Sequence, residues 1–396
     1  MDAARRRRRI VLVLIATLAI QALATMMVLA PPVFAGVAAP AFGVSADHIG
    51  VFTAVVYAAA CLSTGMAGGP VRRYGAIRVS QASLLIGAAG LAFLATASII
   101  AGLVGAVLIG IGYGPMTPAS SHILIRQTPP ARRALVFSIK QTGVPVGGVL
   151  AGLVVPVLVL PLGWRGATLV VAAASVVFAL VCEPLHKSLD DDVDPKAAGG
   201  SHIVAAIRMV VGQPALRHLA FASVTYSAMQ LCLGAFVVTF LTAHAQMALV
   251  AAGLVMAVLQ GAGIVGRILW DWTADRLVNA RQALSLLGVM IGAMAIALAF
   301  VGPSWPLPLV LIVAAALGAV VLGWNGVFLA EVARLAPMGG AGTATGGALA
   351  LTFIGALIGP PIFGTIVGWT GSYHVAFFAA AAATIIAGPA VSRRSS

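Results

Sequence analysis

An all-α membrane fold of twelve transmembrane helices is predicted by three features of the sequence. The 396 residues are 61% hydrophobic and only 8% charged, against roughly 25% charged in an ordinary soluble domain. A water-soluble chain cannot hide so much apolar surface, whereas a bilayer asks for no polar coat. Twelve apolar runs are each long enough to cross the hydrocarbon core, which takes about 20 helical residues. The basic residues fall between those runs with a strong bias to one side, the pattern that fixes orientation.

The runs lie near residues 10–34, 47–69, 77–97, 100–125, 134–160, 164–183, 217–243, 248–270, 282–301, 307–333, 341–367 and 373–391. They are too long and too evenly apolar for the alternating segments of about ten residues that build a membrane barrel. Arg5–Arg9 precede the first run. A signal peptide also begins with positive charge, but its apolar core spans only about 7–15 residues. The longer run from Ile10 is therefore expected to be a retained first helix. Crossing at every run puts 22 of the 23 Lys and Arg on one side and only Arg165 on the other. The basic side is expected to be cytoplasmic, with both termini there, in a bacterial inner (plasma) membrane.

The same distribution accounts for the net charge of +13. Its cations form short clusters between spans rather than one soluble patch, so no nucleic-acid partner is expected. Cys61, Cys182 and Cys232 sit apart in apolar runs, with neither metal nor redox spacing. Forty-five glycines suit close helix packing in lipid.

Two halves are expected: a six-helix bundle over residues 1–183, a cytoplasmic linker over 184–216, and a second bundle over 217–396. The linker holds Asp190, Asp191, Asp192 and Asp194 with Pro195 and Gly199–Gly200, and reads as a solvated tether. Residues 201–211 are expected to form a short helix on the membrane surface. A shift of 208 residues carries Arg126 onto Arg334, Pro129 onto Pro337, Gly147 onto Gly355 and Gly163 onto Gly371. Such internal similarity marks two pseudo-symmetric repeats of a transporter.

Several short motifs refine this picture. The loop after the second run reads Gly68-Gly69-Pro70-Val71-Arg72-Arg73-Tyr74-Gly75-Ala76-Ile77-Arg78. After the eighth come Gly266-Arg267 and Asp271-Trp272-Thr273-Ala274-Asp275-Arg276. Further on stand Gly112-Tyr113-Gly114-Pro115, Lys140-Gln141-Thr142-Gly143-Val144-Pro145 and Gly359-Pro360-Pro361-Ile362-Phe363-Gly364. With twelve runs and a repeat, the whole chain resembles the major facilitator superfamily. The first two loops look like its paired G-x-x-x-D-R-x-G-x-x-R motifs. The resemblance implies a gating role for Arg72, Arg73, Arg267, Asp271, Asp275, Arg276, Glu331 and Arg334, and a central cavity lined mainly by spans one, four, seven and ten. Two positions depart from the family pattern: Arg72 replaces the usual Asp, and Asp271 replaces a Gly. A carboxylate is favourable at a helix N-terminus and a cation is not, so Arg72 cannot make the family's latch contact. Asp275 is expected to carry more of it, near the start of span five at Ala134.

Ionisable groups inside spans are expensive and mark function by default. Lys140, about two turns into span five, either faces the interior to meet an anionic substrate or snorkels to the headgroups. His122 either relays protons and contacts substrate or is a neutral histidine bonded to a neighbouring helix. Arg267 and Asp271, four apart, and Glu331 and Arg334, three apart, share helix faces and read as ion pairs near the gate, structural or switching. Among uncharged polar residues, Gln21, Tyr226, Gln230 and Asn325 rank highest for substrate contact. Thr25, Gln260 and Trp324 follow, all with interhelical bonding as the plain alternative. The Gly-Pro segments of spans four, five and eleven are expected to loosen those helices or to pack closely.

The expected function is secondary transport by alternating access, with no enzyme activity, cofactor or metal. No nucleotide-binding G-x-x-x-x-G-K-S/T occurs, and no polar constellation suggests an intramembrane enzyme. The partners expected are a small-molecule substrate, protons as a candidate co-substrate, and lipid; the chain is expected to be a monomer. The acids all lie near ends or loops, while Lys140 is a deep cation. That favours a small organic anion such as a carboxylate. The alternative is proton-coupled efflux of a hydrophobic drug or metabolite.

Overall fold

A computed structural model describes residues 3–129, 132–194, 203–337 and 341–392. Among these residues every regular element is a helix. Lys196, Arg393, Arg394, Pro195 and Gly199–Gly200 fall outside them.

The chain begins with α1 (Ala3–Ala38) and α2 (Ile49–Met66), joined through two short 3₁₀ turns at Ala39–Phe42 and Ala46–His48. A seven-residue helix, α3 (Gly68–Tyr74), leads into α4 (Ala76–Leu94). Then come α5 (Ile99–Tyr113), α6 (Met116–Gln127), α7 (Arg133–Gln141), α8 (Gly143–Val181) and α9 (Glu183–Leu189). The remainder comprises α10 (Ile203–Gly212), α11 (Pro214–Ala243), α12 (Leu249–Arg276), α13 (Ala280–Ala299), α14 (Leu307–Val321), α15 (Trp324–Leu335), α16 (Ala341–Thr370) and α17 (Tyr373–Ser392).

Among the described residues, eleven helical stretches are long and apolar enough to span a membrane, and one of them, Leu135–Lys187, is 53 residues long. At about 1.5 Å per residue it would run some 80 Å, against a hydrocarbon core of about 30 Å. Gly163, inside it, has φ 67° and ψ 172°, a conformation open to glycine that interrupts the helix. The stretch is therefore two spans, which restores twelve. Large apolar side chains such as Leu62, Ile100, Leu160, Ile312 and Ile386 point outward, each at least 65% exposed, as the bilayer solvent permits.

The chain divides into two compact units, Met1–Pro31 with Val55–Ser201, and Pro32–Ala54 with His202–Ser396. In the first, α4 packs against α5, α6 and α8. Gly90 of α4 and Gly105 of α5 each lie against the other's carbonyl. Gly110 of α5 lies against the Val56 carbonyl of α2, and Gly143 and Gly147 lie against α1 at Leu18, Gln21, Ala22 and Thr25. In the second, α11 packs on α16 and α17, α12 on α14, and α13 on α17. Gly318 of α14 lies against the Leu259 carbonyl of α12, and Gly355 of α16 against Val224 of α11. A 208-residue shift also relates Gly110 to Gly318, so both units bring their helices to backbone contact at equivalent glycines.

Local sequence explains the ends. Asn279 caps α13: its side chain accepts from the Gln282 backbone N–H at 2.9 Å, and the Gln282 side chain accepts from the Asn279 N–H at 3.2 Å. This is a reciprocal capping box. Pro214 opens α11 where its missing N–H does no harm. The helical ladder stops at Gly114–Pro115 between α5 and α6 and at Thr142 between α7 and α8, as expected where proline removes a donor. Span eleven takes the second of the two courses: α16 runs unbroken through Gly359-Pro360-Pro361. There Gly359 packs on Ala228 of α11, so close packing prevails over loosening. The short helix expected over 201–211 is present as α10, with Ala206 and Val210 buried and set against Gly347 of α16.

Candidate functional site

The break at Thr142 places Lys140 on the last turn of α7, while Gly143 and Gly147 draw the following helix onto α1 beside Gln21. Lys140 is thereby 1% exposed. Its ammonium donates to Gln21 Oε1 at 3.1 Å, to Gln141 Oε1 at 3.1 Å and to Thr117 Oγ1 at 3.4 Å. Gln21 Oε1 also accepts from Thr117 Oγ1 at 3.2 Å, and Gln21 is itself 1% exposed. Thr25 Oγ1 donates to the Gln21 carbonyl at 2.9 Å. Lys140 is held inside the first unit rather than reaching for headgroups. Among the described residues its ammonium meets three neutral oxygens and forms no ion pair. An ammonium removed from water without a counter-ion is an uncompensated charge.

Thr117 and Gln141 escaped the sequence reading as partners of Lys140. Thr117 lies 23 residues away on a different helix, and only the fold joins them. Thr117 is exposed and Gln141 half-buried, so the cluster is less covered on their side than on the side of Gln21.

The polar residues of the second unit form a different cluster. Asn325 Nδ2 donates to Gln230 Oε1 at 3.5 Å. Tyr226 is fully buried and its hydroxyl donates to the Leu284 carbonyl at 2.8 Å. Trp324 lies edge-on to Tyr226, with centroids 5.8 Å apart, and its buried Nε1 has no hydrogen-bond partner among the described residues.

Near the basic end of the first unit, the run after α9 does not behave as a free tether. Asp190 accepts from the backbone N–H groups of Ile77 and Arg78, at 2.9 and 3.0 Å, and so caps α4. A carboxylate is favourable there because the first N–H groups of a helix lack partners. Arg126 pairs with Asp191 at 2.6 Å and Asp192 at 2.5 Å, and His122 Nε2 meets Asp192 at 2.6 Å. His122 therefore bonds the segment after α9 rather than a neighbouring transmembrane helix. The Asp194 N–H donates to the Arg72 carbonyl at 2.8 Å, and the Arg73 guanidinium lies over the Tyr74 ring at 5.3 Å.

At the basic end of the second unit, Glu331 is 2% exposed and accepts from Arg334 at 2.6 and 2.7 Å. It also accepts from Arg281 Nε at 3.0 Å, a partner 50 residues distant that spacing could not reveal. Arg267 Nε donates to the Leu322 carbonyl at 3.1 Å, one turn before Asp271, whose carboxylate lies against Gly326 of α15. Asp275 and Arg276 end α12, where Arg276 is exposed.

Twelve apolar spans that bury a lysine and several amides define a multi-pass membrane protein. A model of the Major Facilitator Superfamily matches residues 11–349, and the chain belongs to that family. It is therefore a transporter rather than an enzyme. The fold is similar to that of a bacterial homologue of the human lysosomal transporter Spinster, with a TM-score of 0.76 at 18% identity, over 96% of this chain and 95% of that one. It is also similar to a point mutant of the nucleoside transporter NupG, with a TM-score of 0.77 at 15% identity, over 95% of this chain and 98% of that one. A stretch of 99 residues is 26% identical to the hexuronate transporter of Bacillus subtilis (strain 168); it covers 25% of this chain and 22% of that relative's length.

Proposed function

We propose that the chain is a secondary carrier of small organic anions, carboxylates above all, and that Lys140 binds the anion. The observation that carries this reading is the buried Lys140 ammonium, surrounded by Gln21, Thr117 and Gln141 and, among the described residues, facing no carboxylate. The partial match to a hexuronate transporter supports it, since a hexuronate carries one carboxylate. Two six-helix halves, residues 1–183 and 217–396 joined by 184–216, alternate access to the substrate. The chain works as a monomer in a bacterial inner membrane, with its basic end and both termini in the cytoplasm. Gln230 and Asn325 of the second half are further substrate contacts in this reading.

A ligand-stabilisation screen tests it. A ligand that binds the folded state at about 100 times its Kd stabilises by roughly 2.7 kcal/mol. Melting of the detergent-purified protein is followed across monocarboxylates, neutral sugars and hydrophobic antibiotics. A carboxylate should raise Tm in the wild type and lose that effect in Lys140→Gln. Stabilisation by hydrophobic drugs alone would favour efflux instead.

A further inference from the structure

Resting on the anion reading, we propose that Gln141 is the exchangeable partner of Lys140. The substrate carboxylate takes the place of its amide oxygen on the ammonium, while Gln21 and Thr117 stay put as positioning residues.

An ammonium has three N–H donors and no acceptor. All three are occupied here, so an arriving anion must displace one neutral oxygen. The three are not equally held. Gln21 is 1% exposed, its amide oxygen receives both Lys140 at 3.1 Å and Thr117 at 3.2 Å, and Gly143 and Gly147 press the neighbouring helix against its turn of α1. Thr117 is tied at both functions of one hydroxyl, donating to Gln21 and accepting from Lys140. Gln141 is half-buried, ends α7 next to the break at Thr142, and its side chain makes no hydrogen bond among the described residues other than the one to Lys140. It is the partner with the least to lose by moving.

The replacement is favourable because a charge-assisted bond is about twice as strong as a neutral one. Once released, the Gln141 amide offers its two N–H donors to the same anion. One carboxylate is then held by Lys140 through one oxygen and by Gln141 through the other. The neutrality of all three resting partners follows from the same logic. A carboxylate at any of them would pair with Lys140 permanently and compete with substrate from within the chain. One cation with one exchangeable partner selects substrates that present a single carboxylate.

The test uses the full-length chain in proteoliposomes, with labelled lactate, benzoate and glucuronate as probes, and Tm of the same preparations. Gln141→Glu supplies the internal competitor. Its apparent KM should rise about tenfold or more, the equivalent of losing one charged contact, while the maximal rate changes little. Its Tm should equal or exceed that of the wild type, and any gain should vanish in the Lys140→Gln background. Gln141→Ala, which removes the resting partner and the amide donors together but adds no charge, should raise KM by clearly less than Gln141→Glu does and should give no gain in Tm. A wild-type KM in Gln141→Glu, with transport lost in Lys140→Gln, would overturn the role of Gln141 and leave the anion reading standing. Normal transport in Lys140→Gln, or no uptake of any probe by the wild type, would sink the anion reading. In that last case a Gln141→Glu Tm below wild type sinks the pairing as well.

Discussion

Glu331 and Lys140 are both ionisable groups almost wholly removed from solvent, and their surroundings differ in kind. Glu331 is satisfied by two guanidiniums within 3.0 Å, and Lys140, among the described residues, by neutral oxygens alone. A buried charge with partners is structural, and removing it leaves those partners short of a counter-ion. Glu331→Gln is therefore expected to lower stability by about 1.5–3 kcal/mol, the usual worth of a hydrogen bond to a charged group, read as a drop in Tm of the purified protein. An unchanged Tm would show that the Glu331 network holds nothing together. The i,i+3 spacing of Glu331 and Arg334 was legible in the sequence because helix geometry alone puts those side chains together. Arg281, Thr117 and Gln21 were not legible as partners, since each meets its ion through a different helix. The 208-residue shift that takes Arg334 to Arg126 takes Glu331 to Ile123, so the first half lacks that acid. Asp191 and Asp192 supply it from the segment after α9. Composition could not show this, because an acidic run reads as solvated until something basic is found against it.

At the scale of elements, the repeat is visible in the backbone itself. Gly163 and Gly371, related by the same shift, have φ of 67° and 66°, and each turns one span into the next. A positive φ of this size is strained for any other L-residue and free for glycine, which accounts for glycine at both positions. The apolar runs located the spans to within a few residues, apart from the ends of the first and eighth, which run on to Phe42 and Arg276, because about 20 apolar residues in a row have few other uses. Helix breaks were less legible. Pro115 and Pro145 lie at breaks, whereas Pro360 and Pro361 lie inside an unbroken α16. A transmembrane helix tolerates proline when neighbours fill in around the freed backbone groups, and Gly359 set tightly on Ala228 shows that α16 has such a neighbour. Proline removes a donor in every case; what the surrounding helices do about it is a tertiary matter.

For the whole molecule, the family and the twelve spans make the chain a membrane transporter, and the remaining questions concern orientation and cargo. The bias of 22 in 23 basic residues predicts that the loops after the second and eighth spans share one face. Single cysteines substituted at Arg72 and Arg281 should both react with an impermeant maleimide only from the cytoplasmic side. Labelling from opposite faces would contradict the topology and the carrier reading with it. The cargo rests on one charge. In the reading proposed above, a deep cation with no ion pair among the described residues, in a chain whose acids sit near helix ends or loops, receives an anion. The most direct measurement is substrate counterflow in proteoliposomes loaded with unlabelled monocarboxylate, comparing wild type with Lys140→Gln. Transient accumulation of external labelled carboxylate by the wild type, abolished in Lys140→Gln, is the predicted result. Equal counterflow in the two proteins would contradict the account.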